Sequence, residues 1–517
     1  CIGEREMRRY KYPKIIINSI YLLLWILPLF WFVRDFWVME EIQNSLDRSL
    51  WRTVVFTWKQ SIYSSCLAFI VAIIPARYLA YHKNLLSKIL ESLLFIPFFF
   101  PVLSTIGIFS IVFNLPWIEK FSILYSMKAI LIAHVFYNSP IFVKYIGESL
   151  RRIPKEIEES MILDGASSWK IFWKGQLPLM MPQVFKAFIL CFTYCFLSFA
   201  ILLSLGGIQY QSLEVEIAST LQGDFNFSKA MIYGLLQFLM LLSVNSLGIL
   251  LPDYELKGSG YSKKMPYYTF LFSALYALFE CGIVLASIVA SFYNYFTGEF
   301  SLRAYQIIFS SSFQEEYPIW RSLGNSFLVA GIAALGTVMI VYFLLRNYSR
   351  IIELLIFSNL GISGAFFAMT LYYIYVLYEV PFTLLLVFAY FMTGIPLAYS
   401  FLYQNVKNFP KDLQEMALLD GTSHWTYFWK IQFPILRPLF LLSFLQSFAI
   451  FLGEFTLAYT MQLGDIFPVV SLVNYSLLVD KKYLESSALS AVLLLLILLL
   501  FFLGECLKVR GEVHEEA

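Results

Sequence analysis

Apolar runs of about twenty residues, separated by short polar stretches, recur from one end of this 517-residue chain to the other. A helix needs about 20 apolar residues to cross a bilayer. On that ruler the first half holds six spans, near residues 15–33, 54–76, 89–113, 124–145, 184–205 and 228–250. Six more fall near 268–292, 323–345, 351–375, 380–402, 439–461 and 484–504. The predicted fold is an all-α polytopic membrane protein of about twelve transmembrane helices. Six is an even number, so both halves start on the same side and form two parallel six-helix repeats about an axis along the membrane normal. The expected organisation is a first repeat over 1–252, a polar Gly/Ser/Lys-bearing cytoplasmic linker over 253–265 and a second repeat over 266–517.

One polar stretch is written twice. Pro154, Glu159, Asp164, Gly165, Trp169, Phe172, Trp173, Lys174, Pro178 and Pro182 return as Pro410, Glu415, Asp420, Gly421, Trp425, Phe428, Trp429, Lys430, Pro434 and Pro438, each 256 residues later and without a gap. The repetition reaches further. Trp51-Arg52 and Arg77 match Trp320-Arg321 and Arg346 at a spacing of 269, and Glu91 resembles Glu353 at 262.

The repeated loops, 154–182 and 410–438, have the grammar of two short helices with a bend. Pro154 suits a first helical position, and Glu156, Glu158 and Glu159 suit the positive first turn. Gly165 can end that helix in a left-handed conformation. Ser167 can cap a second short helix carrying Trp169, Phe172 and Trp173, which Pro178 is expected to end. Such aromatic residues either pack on the protein's own helix ends or form a patch for a partner. Duplication favours a partner, and one with two-fold symmetry.

Basic residues set the orientation. Arg5, Arg8, Arg9, Lys11 and Lys14 precede the first span, and Arg77, His82, Lys83 and Lys88 join the second and third. Arg151, Arg152, Lys155, Lys170 and Lys174 join the fourth and fifth; Lys257, Lys263 and Lys264 join the halves; Arg346 and Arg350 join the eighth and ninth; Lys508 and Arg510 follow the last. Alternation puts all of these on one side, so both termini are expected to be cytoplasmic. The opposite loops, such as 206–227 with Glu214, Glu216 and Asp224, are less basic, with Lys481 and Lys482 as the exception.

Composition agrees with a bilayer: 59% of residues are hydrophobic, 14% are charged and the mean hydropathy is +0.70. A net charge of +2 gives no ground for nucleic-acid binding. The six cysteines lie mostly inside apolar runs without zinc-like spacing, so neither a disulfide framework nor a metal site is expected. The chain opens on Cys1 rather than Met, which leaves its true start open. The basic residues before Ile15, followed by a long apolar run, fit an uncleaved first span.

Ionisable groups inside spans are costly and mark pathways by default. Glu454, in Leu452-Gly453-Glu454-Phe455, is the first candidate for the pathway or a gate, or else for a hydrogen bond between helices; Glu280 is the second. Ser198 and Gln446, with Tyr194 and Gln237, are weaker pathway candidates. Gly331 to Thr337 lacks the lysine of a phosphate loop and sits in an apolar span. Four scattered histidines and no paired carboxylates leave no catalytic residue and no cofactor to expect.

The pattern Glu-Ala-Ala, three residues, Gly, nine residues, Ile-x-Leu-Pro marks the coupling loop of permease subunits of ABC importers. Glu159-Ser160-Met161…Gly165…Gly175-Gln176-Leu177-Pro178 and Glu415-Met416-Ala417…Gly421…Ile431-Gln432-Phe433-Pro434 both resemble it. The departures are Ser160, Met161 and Gly175 in the first copy and Met416 and Phe433 in the second. Twelve spans with two such loops are similar to the fused permeases of the ferric-iron and thiamine importers, and the Ser198-Phe199-Ala200…Leu205-Gly206-Gly207…Leu213-Glu214 stretch resembles theirs.

This resemblance implies a non-enzymatic permease in a bacterial inner membrane. Its partners would be two copies of an ABC ATPase on the cytoplasmic side and an extracytoplasmic substrate-binding protein. Glu159 and Glu415 would order the loops and touch the ATPase, Gly165 and Gly421 would make the bends, and Asp164 and Asp420 would cap or pair nearby. The substrate would be ferric iron or thiamine, with a polyamine or an inorganic anion behind them. The competing class is an ion-coupled secondary transporter of twelve spans with Glu454 or Glu280 titrating; a membrane enzyme is more distant.

Overall fold

The computed structural model describes all residues except 1, 94–99, 208, 224, 250–257, 259–264, 295–297, 347–352, 354, 357–358, 360, 408, 410–412, 414–415, 418, 420 and 516–517, with backbone alone at 2–17, 42, 222, 249, 294, 404–405, 407, 424–425, 501 and 503–515. Most of the expected linker, Lys257, Lys263, Lys264, Arg350, Asp224, Pro410, Glu415 and Asp420 therefore lie outside the described residues.

Twelve helices succeed one another as the hydrophobic pattern predicts. They are α1 (Ile2–Phe36), α2 (Arg48–Tyr81), α3 (Val102–Phe113), α4 (Met127–Arg152), α5 (Leu177–Phe196) and α6 (Phe227–Ile249), then α7 (Tyr267–Ala290), α8 (Ile319–Arg346), α9 (Gly364–Tyr378), α10 (Phe382–Lys407), α11 (Phe433–Leu452) and α12 (Tyr483–Glu515). Among the described residues, ten segments are long and apolar enough to cross a membrane, and three shorter apolar helices accompany them: α3 and α9, third in each half, and Val470–Val479. A hairpin of two-residue strands, β1 (Tyr293–Asn294) and β2 (Glu299–Phe300), follows α7 and pairs Tyr293 with Phe300 and Asn294 with Glu299.

Four expected spans are corrected. The span near 89–113 is two helices, Leu85–Leu93 and α3, and Pro101 stands at the start of the second, having no N–H to continue a helix from before it. The span near 351–375 is interrupted at 361–363, and α9 begins at Gly364, where Ser363 Oγ accepts from the Phe366 N–H at 2.9 Å. The spans near 184–205 and 439–461 both start earlier and break inside: α5 stops at Phe196 and α11 at Leu452, and a separate short turn follows each. Pro178 does not end a helix, because Ser168–Phe196 runs on as one element.

The halves interlock. Within each, the second helix packs on the fourth and fifth (α2 on α4 and α5; α8 on α10 and α11). Between them, the first and last helices of one half reach the short third helix of the other: α1 and α6 meet α9, while α7 and α12 meet α3. Trp25 meets Phe367 at a tilt, 4.9 Å between ring centres, and Phe36 meets Tyr373 edge-to-face at 4.8 Å along the α1–α9 seam. Lipid tails are as apolar as leucine, so such seams depend on close packing rather than on escape from water. Gly234 on α6 shows this, since a Cβ there would run into the Phe366 ring of α9.

A buried polar contact crosses the same seam. The short helix Leu213–Gln222 brings Glu214, 1% exposed, to the start of α9. Glu214 Oε1 accepts from the Ala365 N–H at 2.8 Å and Oε2 accepts from Gln237 Nε2 of α6 at 2.6 Å. The sequence reading leaves Glu214 in an extracytoplasmic loop; it is instead a buried fastener between the halves.

Candidate functional site: paired loops and the cavity beyond them

Among the described residues, the repeated loops share the same bend. In the first, the helix Lys155–Leu163 ends at Gly165, whose φ is +75°; in the second, Gly421 has φ +73°. Past each glycine an N–H reaches back five residues, from Ala166 to the Met161 carbonyl at 2.9 Å and from Thr422 to the Ala417 carbonyl at 3.0 Å. This is the closure that a left-handed glycine permits at a helix end. Ser167 Oγ then accepts from the Lys170 N–H at 3.4 Å, and Ser423 Oγ from the Thr426 N–H at 3.2 Å. Serine, not Asp164, caps the second helix of the first loop; the Asp164 side chain is exposed.

Both prolines are absorbed by a wide turn. Ile171–Gln176 and Phe428–Gln432 are π-helical, and the Leu177 and Phe433 N–H groups reach five residues back to the Phe172 and Phe428 carbonyls. Pro178 and Pro434 thus fall in the first turn of α5 and α11, where a missing N–H costs nothing. Turns of this kind kink a helix.

Each loop is moored to its bundle by a glutamine. Gln176 Nε2 donates to Tyr81 Oη at 2.7 Å and to Glu158 Oε2 at 3.2 Å, while Gln432 Oε1 accepts from Tyr342 Oη at 2.5 Å. Glu158, 3% exposed, is the carboxylate that orders the first loop. Glu159 is exposed and pairs with Lys155 at 2.6 Å, raising the lysine pKa above its ordinary value by hydrogen bond and charge. Phe172 is buried beneath the Arg77 guanidinium, 4.5 Å from its ring centre, so the loop's aromatic residues divide. Trp169, 67% exposed, and Trp173 face outward; Trp429 is exposed in the second loop, where Trp425 is described by its backbone alone.

Two features escape sequence reasoning. Leu163, 88% exposed, and Leu419, 86% exposed, stand 256 residues apart at the crest of the two bends. A lone leucine in a helical loop carries no signal until the bend lifts it from the surface. The other is the pair Met161 and Gly175: a Cβ at 175 would collide with the Met161 thioether. At the corresponding positions the second loop has Ala417 and Ile431, so large-against-none becomes small-against-large. We predict that Gly175→Ile alone destabilises the loop by about 1–3 kcal/mol, and that adding Met161→Ala restores most of it. Thermal unfolding of the single and double variants measures this coupling.

The 20 residues of α5 rise about 30 Å. At its far end from the loops, α5 breaks at Leu197 and α11 at Gly453, again 256 residues apart. Gln60 Nε2 of α2 holds the loosened end of α5 by donating to the Cys195 carbonyl at 2.8 Å. Between the breaks is a cavity of about 370 Å³ whose walls come from both halves. Ile141 with Leu397, Tyr194 with Ile450, Ser198 with Glu454 and Phe199 with Phe455 all line it, each pair at the spacing of 256. The Phe199 and Phe455 rings face each other at 5.7 Å. Both Glu454 carboxylate oxygens accept from the Leu457 N–H, at 3.0 and 3.2 Å, capping the short helix Thr456–Thr460.

The cavity collects Glu454, Ser198 and Tyr194 from the sequence candidates and leaves the others out. Glu280 lies in the α4–α7 contact, where its Oε1 accepts from Ser139 Oγ at 3.2 Å. Gln446 is buried on α11 outside the lining, and Gln237 serves Glu214. His134, Tyr137 and Asn138 of α4 are lining residues the sequence reading missed. Among the described residues, no group of three histidines, cysteines or acids could hold a metal ion.

The family model described as "Binding-protein-dependent transport system inner membrane component" matches the chain twice, over residues 65–253 and 268–509. The chain is 24% identical to the thiamine transport system permease protein ThiP of Haemophilus influenzae over 79% of its own length and 80% of that protein's. It is 32% identical to the ThiP of Escherichia coli K12 over 38% of its length and 39% of the relative, and 30% identical to that of Salmonella typhimurium over 38% and 39%. These relatives are transport permeases rather than enzymes. The chain thus belongs to the binding-protein-dependent transport system inner membrane components, as a multi-pass transmembrane permease of an ABC importer.

Proposed function

We propose that this permease carries thiamine, with its two loops seated on a pair of ATPase subunits and its opposite face receiving an extracytoplasmic binding protein. The observation that carries the docking reading is the doubled loop, with one left-handed bend, one wide turn and one exposed leucine in each copy. Two equivalent knobs fit a two-fold partner. Closure of that partner would draw the loops together and move α5 and α11, to which they are continuous, so that the cavity at their far ends changes its opening. Asp164, Gly165, Trp169 and Pro178, with Asp420, Gly421, Trp425 and Pro434, belong to this docking element. Glu159 and Glu415 face the ATPase, while Glu158 holds the first loop to its own bundle. In this reading the repeats are 1–252 and 266–517 with 253–265 between them, and both termini are cytoplasmic, an orientation that the basic loops support.

Thiamine is favoured over ferric iron because relatives named for thiamine transport match over up to four-fifths of their length, and because no metal-binding cluster exists among the described residues. The test is uptake of labelled thiamine and labelled ferric iron in cells with and without the gene. Loss of thiamine uptake alone is expected. Loss of iron uptake alone would replace the substrate, and loss of neither would discard both.

A further inference from the structure

The cavity between the broken ends of α5 and α11 is not a symmetric object, although its walls are built from repeat-related pairs. Where the first half contributes Ser198 the second contributes Glu454, 256 residues on. Among the described residues, no lysine or arginine lines the cavity to answer this carboxylate. Its hydrogen bonds come from the backbone of its own helix end. A second group points the same way. His134 is 1% exposed and lines the cavity; its Nδ1 bonds Ser64 Oγ at 2.8 Å, and its Nε2 has no partner among the described residues. A buried ring nitrogen left open costs free energy unless something completes it.

Part of the remaining wall is aromatic, with Phe100, Tyr137, Tyr194, Phe199 and Phe455. The Phe199 and Phe455 rings are in contact at 5.7 Å, and Tyr459, outside the lining, packs against both at 5.4 and 5.0 Å. Ring faces beside a carboxylate suit a diffuse organic cation, which they attract without demanding hydrogen bonds. Irregular backbone within a membrane protein is tolerated where it lines a cavity, and broken helices often mark a transporter's binding site.

We propose that this cavity is a binding station for an organic cation carrying an uncharged nitrogen heterocycle. Glu454 supplies the counter-charge, the adjoining Phe199 and Phe455 rings flank the cationic group from the cavity wall, and His134 Nε2 hydrogen-bonds the heterocycle. The proposal deepens the thiamine reading and rests on it for the identity of the heterocycle, but the charge argument stands on the cavity alone. The asymmetry also gives direction: the cationic end lies toward the second half and the heterocycle toward α4 of the first.

The test is equilibrium binding to the purified full-length permease with its ATPase subunits. The probes are labelled thiamine, its neutral thiophene analogue, choline and molybdate. Wild type should bind thiamine, and Glu454→Gln, which can still accept from the Leu457 N–H, should weaken it at least about tenfold while leaving the neutral analogue unchanged. His134→Leu should weaken thiamine but not choline, which has no heterocycle. Equal losses of thiamine and its neutral analogue in Glu454→Gln, unchanged thiamine binding in that variant, or binding of molybdate alone would each overturn the proposal. Glu454-dependent binding of choline without thiamine would uphold the cation station and remove thiamine as the substrate.

Discussion

Replacing Leu163 and Leu419 together by glutamate is expected to reduce substrate uptake by about 100-fold or more without loss of folded protein. Both side chains stand almost wholly in solvent, so the fold gains nothing from them. Burying a leucine in a partner's socket contributes about 1.5–3 kcal/mol, and a factor of ten in affinity corresponds to about 1.4 kcal/mol. Two sockets emptied at once therefore remove about 3–6 kcal/mol of docking energy by the same per-residue figure. A buried glutamate would add its own desolvation cost. Each single variant should keep one seated loop and show an intermediate loss. Leu85→Glu is the control, since Leu85 is 74% exposed but lies off the repeated loops. Co-purification of the ATPase subunits, alongside uptake, separates lost docking from lost folding. Wild-type uptake in the double variant would show that the bends carry no contact.

Glu214→Ala has the second largest expected effect, and it acts on stability. The substitution leaves the Ala365 N–H at the start of α9 and the Gln237 amide without their buried acceptor. Hydrogen bonds to a charged group contribute about 1.5–3 kcal/mol, and orphaned buried donors cost more, so a loss of about 3 kcal/mol or more is expected. Glu214→Gln keeps one acceptor oxygen and should lose less. Glu216→Ala removes only a partly exposed pair with Lys229 at 3.5 Å and should change stability by less than about 1 kcal/mol. Thermal unfolding of the detergent-solubilised protein ranks the three; equal midpoints would mean that Glu214 does not fasten the halves.

The twelve-helix plan and the doubled loop are legible in the sequence because each rests on a long-range regularity, hydrophobic runs in one case and a fixed spacing in the other. What the sequence hides is local. Pro101 cuts the expected third span, and a run read by hydropathy alone passes straight through it. Pro178 reads as a helix end, yet a wide turn of five-residue hydrogen bonds admits it, as the same turn admits Pro434, a geometry without a composition signal. Glu158 and Glu159 are adjacent on one short helix; which one turns inward depends on Tyr81 and Gln176 arriving from elsewhere. Glu214 looks like a loop carboxylate until α9 of the other half is set against it. The cavity was half visible: Glu454 and Ser198 stand out separately, and carrying the spacing of 256 onward would have paired them. His134 offered no such clue, because only the fold brings α4 to the broken helices.

The central claim is that the movement of substrate through this chain is driven by an ATPase gripping its two loops. The direct measurement is accumulation of labelled thiamine in proteoliposomes holding the full chain, its ATPase subunits and its binding protein, with proton and sodium gradients collapsed by ionophores. Uptake that persists under the ionophores, requires ATP and disappears with Leu163→Glu/Leu419→Glu is the predicted result. Uptake that ignores ATP and vanishes with the gradients would contradict it and make the chain a secondary carrier.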